Sequence, residues 1–454
     1  MNSIFTEHYN FIPRFYRLAI VNILSNLTIP LAGLISIAFL GHLNTVDSLA
    51  GVSLANIIFN LLYLTLAFLR MATTGLTAQS VGADDRQTML LVGLRNGLIA
   101  LTLGLCLIIF QYPIKEIGFF LFNADLSVKD SGLAYFDARI WGAPAALLNF
   151  VLIGWFLGRE KSNQVLVLSV VGNAANIILD YVFIWQYDWK STGAGMSQAC
   201  SQYLMFLTGL ALIWGSKEIQ WQEVKTAMSN LFDWSAFKAT ITFNKDILIR
   251  TGAELSVFTV FGNLSATMGT IIFIQNSLLG QITHLIVYLT DGFGFATETL
   301  AGNFKGKESK DELVPLLRVA VASSLFIVLI VSIICVLFPQ TIFGILTNHT
   351  EVIKDINTYT FWLIFSVVFA SASTMLEGFF LGLAEAKIVR NTSLLAMVFG
   401  FIPSIIAAWY FHNNHILWLS ITLFLFAKMT VLLIYLAKFF SDFTEKLNSQ
   451  PLQG

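Results

Sequence analysis

Long apolar runs recur along this 454-residue chain and constrain its fold more than any other feature. Each run is about 20 residues long, the length that a helix needs to cross a hydrocarbon core of about 30 Å. Strands of a membrane barrel are about 10 residues long and strictly alternate apolar and polar side chains. These runs, by contrast, are apolar at both odd and even positions. The pattern predicts an all-α integral membrane protein with twelve transmembrane helices, at residues 15–40, 48–70, 88–112, 132–157, 163–186, 192–215, 246–268, 271–297, 314–338, 356–383, 389–411 and 415–437.

The composition excludes a soluble globular protein. Hydrophobic side chains make up 56% of the chain and charged ones 12%, whereas soluble domains carry roughly 25% charged residues. The 26 basic and 27 acidic residues leave no basic excess of the kind that nucleic-acid binding uses. We therefore expect a lipid bilayer around most of the chain and no nucleic-acid partner.

Basic residues are distributed unequally between the two sides of the predicted helices. Sixteen Lys and Arg residues fall in connections on one side, and four fall on the other, at Lys115, Lys129, Lys190 and Lys354. Because basic residues concentrate in cytoplasmic loops, we expect both termini in the cytoplasm and a plasma-membrane location, the inner membrane if the source is bacterial. The central connection mixes charged and aromatic residues, as interfacial amphipathic segments do. The predicted regions are a six-helix lobe at 1–215, a cytoplasmic amphipathic linker at 216–244 and a second six-helix lobe at 245–454.

The two halves are related by an internal repeat. The shift that carries Ala72 onto Ala296 also carries Thr73, Leu76 and Gly82 onto Thr297, Leu300 and Gly306, and carries Gly154, Phe156, Leu157 and Gly158 onto Gly378, Phe380, Leu381 and Gly382. We call this constant shift the repeat offset. Since each copy holds six spans, an even number, both copies cross in the same direction. Parallel repeats of this kind are typical of secondary transporters. We expect two lobes related by a parallel repeat, with a cavity between them.

Polar residues line one face of the fifth span. Ser169, Gly172, Asn173, Asn176 and Asp180 step by 3, 1, 3 and 4 residues, which places them on one side of a helix. A charge within a spanning helix is costly, so such residues usually face a cavity and mark an ion or substrate path. This stripe is the clearest site signal in the sequence. The structural alternative is that the amides bond neighbouring helices and Asp180 caps or snorkels.

The second half carries further intramembrane charges. His284, Asp291 and Glu298 share a face of the eighth span, which suggests either a proton relay or a satisfied polar seam between helices. Arg250 and Glu254 are one turn apart in the seventh span and can neutralise each other. Glu377 in the tenth span and Lys428 in the twelfth extend the set, and most of these charges are interpreted as holding helices together.

Signatures of soluble enzymes are missing from the sequence. It contains no G-x-x-x-x-G-K-[ST] phosphate loop, no H-E-x-x-H pair and no G-x-S-x-G nucleophile pattern. We therefore expect neither an enzyme nor a cofactor, and no metal site is firmly predicted. An ion gradient is the expected energy source, because membrane carboxylates change charge when a proton or Na⁺ arrives.

Several stretches resemble the DinF-like branch of the multidrug and toxic compound extrusion (MATE) family, and the resemblance covers nearly the whole chain. They are Ser25-Asn26-Leu27-Thr28-Ile29-Pro30, Gly41-His42-Leu43, Phe68 to Gln79, Ala143-Pro144-Ala145, Gly154 to Gly158, Gly172-Asn173 with Asn176 to Asp180, Asp291-Gly292-Phe293, and Arg390-Asn391-Ser393. The resemblance implies two six-helix lobes, alternating access, and export of organic compounds in exchange for H⁺ or Na⁺.

The resemblance also implies site residues, with one departure. In DinF-like members the amino-terminal lobe holds an Asn and an Asp four residues apart on the fifth span, which Asn176 and Asp180 match. The family's first-span aspartate falls on Ser36, so a central coupling carboxylate is missing. A sixth-span threonine that joins the site in some members falls on Gln198. Glu254 is similar to the seventh-span glutamate of the NorM-like branch, which helps form a cation site in the carboxy-terminal lobe.

The resemblance implies a multidrug antiporter, and we expect a monomer that exports amphipathic, cationic compounds. Asp180 is the expected proton acceptor or Na⁺ ligand, and Ser36, Asn173 and Asn176 are the expected neutral members of the site. H⁺ is favoured over Na⁺, because hard cations gain from ligand charge and Ser36 brings none. The alternative coupling or substrate site lies in the second lobe, at Arg250, Glu254, His284, Asp291, Glu298 and Glu377.

Two other classes of function fit parts of this sequence. A flippase or exporter of lipid-linked or other amphiphilic precursors shares the general architecture but needs a strongly basic cavity. The buried charges here are mixed in sign and the spans number twelve rather than fourteen, which argues against it. A membrane-embedded enzyme or receptor needs a catalytic His or Cys constellation, and His284 alone is too little.

Overall fold

The computed structural model describes residues 9–41, 46–120, 122, 125–346 and 350–449, and all regular secondary structure in this part of the chain is helical. The α-helices are α1 (Ile12–Gly41), α2 (Val46–Leu66), α3 (Phe68–Gly82), α4 (Arg86–Ile109), α5 (Gln111–Phe120), α6 (Leu126–Arg139), α7 (Ala143–Gly158), α8 (Ser162–Asp180), α9 (Lys190–Gly215), α10 (Trp221–Ser229), α11 (Trp234–Thr267), α12 (Thr270–Gly306), α13 (Leu313–Leu337), α14 (Pro339–Leu346), α15 (Thr350–Gly382), α16 (Ala386–Ala396), α17 (Ile402–Phe411) and α18 (Asn414–Ser449). Short 3₁₀ turns lie at Ile140–Gly142 and Lys310–Glu312, and π-helical turns lie at Tyr181–Gln186 and Met397–Phe401.

Membrane-spanning helices dominate the described chain. Within the residues that the structure describes, ten helical stretches are long and apolar enough to cross a bilayer. The two other predicted spans fall on α1 and α9, which are 30 and 26 residues long. At about 1.5 Å per residue both exceed a hydrocarbon thickness of about 30 Å. The all-α membrane fold expected from the apolar runs is confirmed.

Some predicted spans are less regular than the sequence suggested. The second is divided at Ala67, between α2 and α3. The fourth tightens into a 3₁₀ turn at Ile140–Gly142 between α6 and α7. Pro144 follows that turn and has no N–H to donate to the carbonyl four residues earlier, so the regular helix is interrupted there. The fifth ends in the π-helical turn Tyr181–Gln186, directly after Asp180.

The chain divides into two compact units. The first unit comprises residues 17–244 and 302–309. The second unit comprises residues 245–301 and the chain from 310 onward, together with the described residues before Arg17. The segment 216–244, predicted as a linker, groups with the first unit and contains the short helix α10.

The internal repeat is visible in the backbone conformation as well as in the sequence. Helices α2, α6, α8 and α9 begin at residues 46, 126, 162 and 190, and α12, α15, α16 and α18 begin at 270, 350, 386 and 414, one repeat offset later in each case. Non-glycine residues with positive φ recur at the same offset, at Asp84 and Glu308, Glu160 and Ala384, and Asp188 and His412. Left-handed backbone is uncommon outside glycine, so this recurrence shows that equivalent turns adopt the same conformation in both copies.

Equivalent glycines let helices approach closely in each unit. A Cβ added at Gly154 on α7 would collide with the carbonyl oxygen of Arg70 on α3. A Cβ added at Gly378 on α15 would lie 2.6 Å from the carbonyl oxygen of Gly294 on α12. Small residues at helix interfaces are the usual means of close packing in membranes. The repeat therefore preserves one helix-helix contact in both units.

Each unit has its own apolar core. In the first unit Phe59, Tyr135 and Phe136 pack together, with the Phe59 and Phe136 ring centroids 5.0 Å apart. In the second unit one cluster surrounds Phe401 and Phe424, and another surrounds Ile286 and Phe343. These cores hold together the helices that carry the buried polar residues of each unit.

Candidate functional site

A buried carboxylate lies at the end of α8 in the first unit. Asp180 is the last residue of α8 and is 1% exposed. Ser36 on α1 donates a hydrogen bond to its Oδ2, and Ser197 on α9 donates to its Oδ1. Three helices thus meet at one carboxyl group, and each of its oxygens is held by a hydroxyl.

Asn176 completes this cluster one helical turn before Asp180. Its Nδ2 donates to Ser197 Oγ at 3.1 Å, and its Oδ1 accepts from Gln198 Nε2 at 3.0 Å. Ser36 Oγ lies 3.3 Å from the same Oδ1. We refer to Ser36, Asn176, Asp180, Ser197 and Gln198 as the Asp180 cluster. The structure therefore brings together three of the four residues predicted for this lobe.

Asn173, the fourth predicted residue, lies on the same stripe but outside the cluster. Its Nδ2 donates to Thr28 Oγ1 on α1 at 2.7 Å. One turn earlier, the Ser169 and Ser25 hydroxyls are 2.5 Å apart. Ser169 and Asn173 thus bond α8 to α1. This is the alternative role given above for the amides of the stripe, namely bonding between neighbouring helices.

Ser197 was not found from the sequence, which pointed to its neighbour Gln198. Successive residues of a helix point about 100° apart, so an alignment offset of one residue changes which side chain reaches the carboxylate. Here Ser197 contacts Asp180, and Gln198 contacts Asn176. The signal that could have identified Ser197 was a hydroxyl inside a predicted span, on the side that faces the polar stripe of α8.

The Asp180 carboxylate is surrounded by neutral groups. Within the described part of the chain, the side chains that hydrogen-bond it are hydroxyls. Arg139 of the same unit is engaged elsewhere, since it donates to Tyr135 Oη at 2.8 Å and lies over the Phe59 ring at 4.4 Å. A buried carboxylate without a paired cation is costly, and uptake of a proton or a metal cation removes this cost.

Four charged side chains form a second cluster, in the second unit. Arg250 and Glu254 lie on α11, Glu377 on α15 and Lys428 on α18. Arg250 Nη2 lies 2.5 Å from Glu377 Oε2 and 3.1 Å from Glu254 Oε2. Lys428 Nζ lies 2.9 Å from Glu377 Oε2 and also pairs with Glu254 Oε1. We call these four residues the charge quartet.

The charge quartet is buried and electrically balanced. Its side chains are between 4% and 16% exposed, and two cations face two anions. The pair that the spacing of Arg250 and Glu254 suggested forms in the structure, although each of these residues also has a partner on another helix. Lys428 was named among the intramembrane charges but not among the predicted site residues; a Lys inside the apolar twelfth span was the signal for it.

The face of α12 that carries His284, Asp291 and Glu298 is not assembled as a relay. Consecutive members are seven residues apart, so their backbone positions are separated by about 10 Å along the helix. Asp291 lies close enough to Arg250 to act on it electrostatically. Glu298 is buried, and His284 is exposed on the surface of its unit. Direct proton transfer along this line is therefore not supported by the geometry.

The two clusters occupy non-equivalent positions of the repeat. The repeat offset carries Asp180 onto Ser404, and it carries Ile153 and Leu204 onto Glu377 and Lys428. The two units therefore share a repeated backbone but carry their polar clusters at different positions of it.

Among the residues that the structure describes, no three His, Cys, Asp or Glu side chains are grouped so that they could hold a metal ion.

Known proteins match this chain over most of its length. A sequence model of the MatE family matches residues 22–182 and 276–406. DNA damage-inducible protein F of Escherichia coli strain K12 is 30% identical over 410 residues, which is 90% of this chain and 88% of that protein. A probable multidrug resistance protein NorM of Shewanella oneidensis is 23% identical over 75% of this chain and 74% of its own length. The outward-facing structure of a multidrug resistance MATE family transporter superposes with a TM-score of 0.82 at 18% identity, covering 93% of both chains.

Proposed function

The chain belongs to the MatE family of membrane transporters, and from this premise we propose that it exports small organic compounds in exchange for protons, with Asp180 as the coupling group. The E. coli and Shewanella relatives extend over most of the chain, and the second carries a multidrug resistance name. The absence of soluble-enzyme motifs from the sequence agrees with transport.

The neutral surroundings of Asp180 carry the proposal. One carboxylate is held by the hydroxyls of Ser36 and Ser197 and sits beside the amide of Asn176. Protonation neutralises it where it stands, because the hydroxyl beside the protonated oxygen can rotate to accept a hydrogen bond while the other hydroxyl continues to donate. The group can thus exist in two charge states with the same neighbours, as a coupling site requires.

A proton suits this cluster better than Na⁺. Hard cations bind most strongly where several oxygens, including charged ones, surround them. The Asp180 cluster supplies one carboxylate and otherwise hydroxyl and amide groups. A second charged ligand from α1 would have to stand at position 36, where this chain has the neutral hydroxyl of Ser36.

The charge quartet is less suited to carry the coupling ion. Glu254 and Glu377 already contact Arg250 and Lys428. A second, external cation would face the positive charges of both basic side chains, and protonating either acid would leave a buried cation uncompensated. We assign the quartet a structural or substrate-positioning role in the second unit, and the coupling role to the first.

The remaining features of the proposal follow the family and the loop charges. The transported compounds are amphipathic and cationic, and they move by alternating access between the two sides of the membrane. The protein acts as a monomer in the plasma membrane, with both termini in the cytoplasm, as the sixteen-to-four distribution of basic residues favours.

Transport in proteoliposomes tests this proposal. The purified protein is reconstituted, and uptake of a fluorescent organic cation is followed under an imposed pH gradient or an imposed Na⁺ gradient. Uptake driven by the pH gradient alone, and lost in Asp180→Asn, is the expected result. Uptake driven by Na⁺ alone would contradict proton coupling. Uptake under neither gradient would contradict drug export and direct attention to amphiphilic lipid precursors.

A further inference from the structure

A polar cavity lies where α1 and α8 begin, outside the Asp180 cluster. Its volume is about 330 Å³, and the residues that line it are Arg17, Arg159, Glu160, Lys161, Asn163 and Gln164. Three of these are basic and one is acidic. The two amides lie in the first turn of α8, where backbone N–H groups and the helix dipole also favour an anion.

Two of the basic side chains are held in fixed positions. The Arg159 guanidinium lies 4.1 Å above the Trp155 ring, and its Nη2 is 2.5 Å from Glu218 Oε2. Lys161 Nζ is 2.6 Å from the other oxygen of the same carboxylate. Arg159 is 9% exposed and Lys161 35%. One carboxylate therefore aligns two cations beside the cavity while leaving Lys161 accessible, and the exposed Arg17 adds a third.

The other copy of the repeat shows that the fold does not need these cations. The turn at 158–162 recurs one repeat offset later, with positive φ at Glu160 and at Ala384. Lys161 N donates to Phe156 O at 2.8 Å, and Glu385 N donates to Phe380 O at 2.9 Å. In the second copy, however, Leu383, Ala384 and Glu385 stand where the first has Arg159, Glu160 and Lys161, and Ile241 stands for Arg17. The same backbone forms without a basic side chain at any of these positions.

We propose that this cavity binds the phosphate group of an anionic phospholipid headgroup. Guanidinium, ammonium and amide N–H groups are the donors that phosphate oxygens accept from. The cavity lies at the beginning of α8, which is long and apolar enough to span a membrane, and near the beginning of α1, which the sequence predicts as a span. Headgroups are found at such helix ends rather than inside a span. Basic pockets between transmembrane helices at the membrane surface take anionic headgroups by the same chemistry. The site thus ties the first and fifth spans to the lipid of one leaflet.

Binding of a short-chain lipid tests the proposal on the full-length protein. Dihexanoyl-phosphatidylglycerol is added to the protein in neutral detergent, and bound lipid is counted by native mass spectrometry while the unfolding temperature is recorded. We expect saturable binding that raises the unfolding temperature. Arg17→Gln combined with Lys161→Gln should weaken this binding about tenfold or more, because each change removes a charge-assisted hydrogen bond.

The chain offers a matched control in the second copy of the turn. Lys387→Gln removes an exposed cation from the equivalent turn and should leave the affinity unchanged. If the double variant does not fold, Arg17→Gln alone is used, since Arg17 is exposed and does not pair with Glu218. Equal binding in the double variant, or equal loss in Lys387→Gln, would overturn the site.

Two further ligands identify the source of the phosphate. Dihexanoyl-phosphatidylcholine also carries a phosphate, but its headgroup as a whole has no net charge. It should therefore bind at least tenfold more weakly. Inorganic phosphate at the same concentration should leave the unfolding temperature unchanged. An equal effect of either would overturn recognition of an anionic lipid. None of these measurements depends on transport, so a failure of the proton-coupling proposal would not change their outcome.

Discussion

Glu377 on α15 accepts two hydrogen bonds from the guanidinium of Arg250 on α11, at 2.5 Å from Nη2 to Oε2 and at 3.2 Å from Nε to Oε1. Two parallel N–H groups facing two carboxylate oxygens form the geometry in which an arginine binds an acid most strongly. Asp180 in the first unit is equally buried, but its two oxygens are held by serine hydroxyls. Two carboxylates buried to a similar depth thus differ in their partners, and this difference separates a fixed charge from one that can be neutralised.

Asp180→Asn should abolish pH-driven uptake of an organic cation while leaving the protein folded. The amide has the shape of the protonated acid and can bond Ser36 and Ser197, but it cannot release a proton. Uptake in proteoliposomes should fall to the level of empty vesicles, and the elution profile and unfolding temperature should remain close to those of the unchanged protein. Full activity of this variant would move the coupling site to the second unit, where Glu254→Gln is the matching experiment.

Ser197→Ala should reduce driven uptake about tenfold without abolishing it. This change removes one hydroxyl donor to the carboxylate and leaves the other, and a hydrogen bond to a charged group typically contributes about 1.5–3 kcal/mol. Ser201→Ala is the matched control, because Ser201 lies one turn further along α9 and donates to Gln198 O at 2.8 Å. Equal losses in the two variants would mean that α9 itself, rather than the Asp180 contact, is disturbed.

The extent to which the sequence predicts this site depends on how local each relationship is. Helical spacing alone places Asn176 and Asp180 on one face, and the repeat offset carries through to helix starts and left-handed turns. Contacts between helices are not contained in that spacing. The choice between Ser197 and Gln198 depends on the rotation of α9 about its axis.

Lys428 shows the same limit in the second unit. It lies 174 residues from Glu254 in the chain, and only the packing of α18 against α11 and α15 reveals that it completes the charge quartet. The spacing of Arg250 and Glu254 suggested a self-contained pair. The structure adds a partner for each of them, because α15 and α18 bring Glu377 and Lys428 to the same point.

Glu377→Gln should destabilise the protein by about 3–5 kcal/mol, the typical cost of removing one partner from a buried ion pair. The variant keeps Arg250, Lys428 and Glu254, so one positive charge is left buried without compensation. Glu377→Gln combined with Lys428→Met restores balance and should recover a large part of the loss. Denaturant unfolding of the detergent-solubilised protein measures both values. A double variant whose loss of stability, relative to the unchanged protein, equals the sum of the losses of Glu377→Gln and Lys428→Met would contradict charge balance as the cause.

Acidification should release the beginning of helix α10 from the first unit. The hydrogen bond from Lys161, with Arg159 nearby, holds the pKa of the Glu218 carboxyl below its usual range. A lowered carboxyl pKa contributes stability that is fully present above the ordinary value of about 4.3 and is lost as pH falls through the lowered value. Hydrogen exchange at residues 217–224, corrected for the intrinsic pH dependence, should therefore accelerate on going from pH 6 to pH 3.

The far end of α10 provides an internal reference for this measurement. Arg95 donates to the backbone oxygens of Asn230 and Leu231, at 2.9 Å and 3.2 Å, and no carboxylate takes part in these bonds. Exchange there should change less over the same pH range. Glu218→Gln should show fast exchange at residues 217–224 already at pH 6, and protection that persists in this variant would show that Glu218 does not anchor the segment.

Lys428→Met should give the protein a dependence on Na⁺ that the unchanged protein lacks. The ammonium of Lys428 contacts both Glu254 and Glu377, so its removal leaves two carboxylates and one guanidinium around a vacated cation position. A small hard cation can occupy that position and restore neutrality. At a Na⁺ concentration ten times its Kd, stabilisation of about 1.4 kcal/mol is expected from mass action. The unfolding temperature in NaCl, compared with choline chloride at equal ionic strength, measures this effect. Lys438→Met, which removes an exposed cation from the same helix, should show no such difference, and a Lys428→Met variant indifferent to Na⁺ would mean that the ammonium does not stand in for a metal cation.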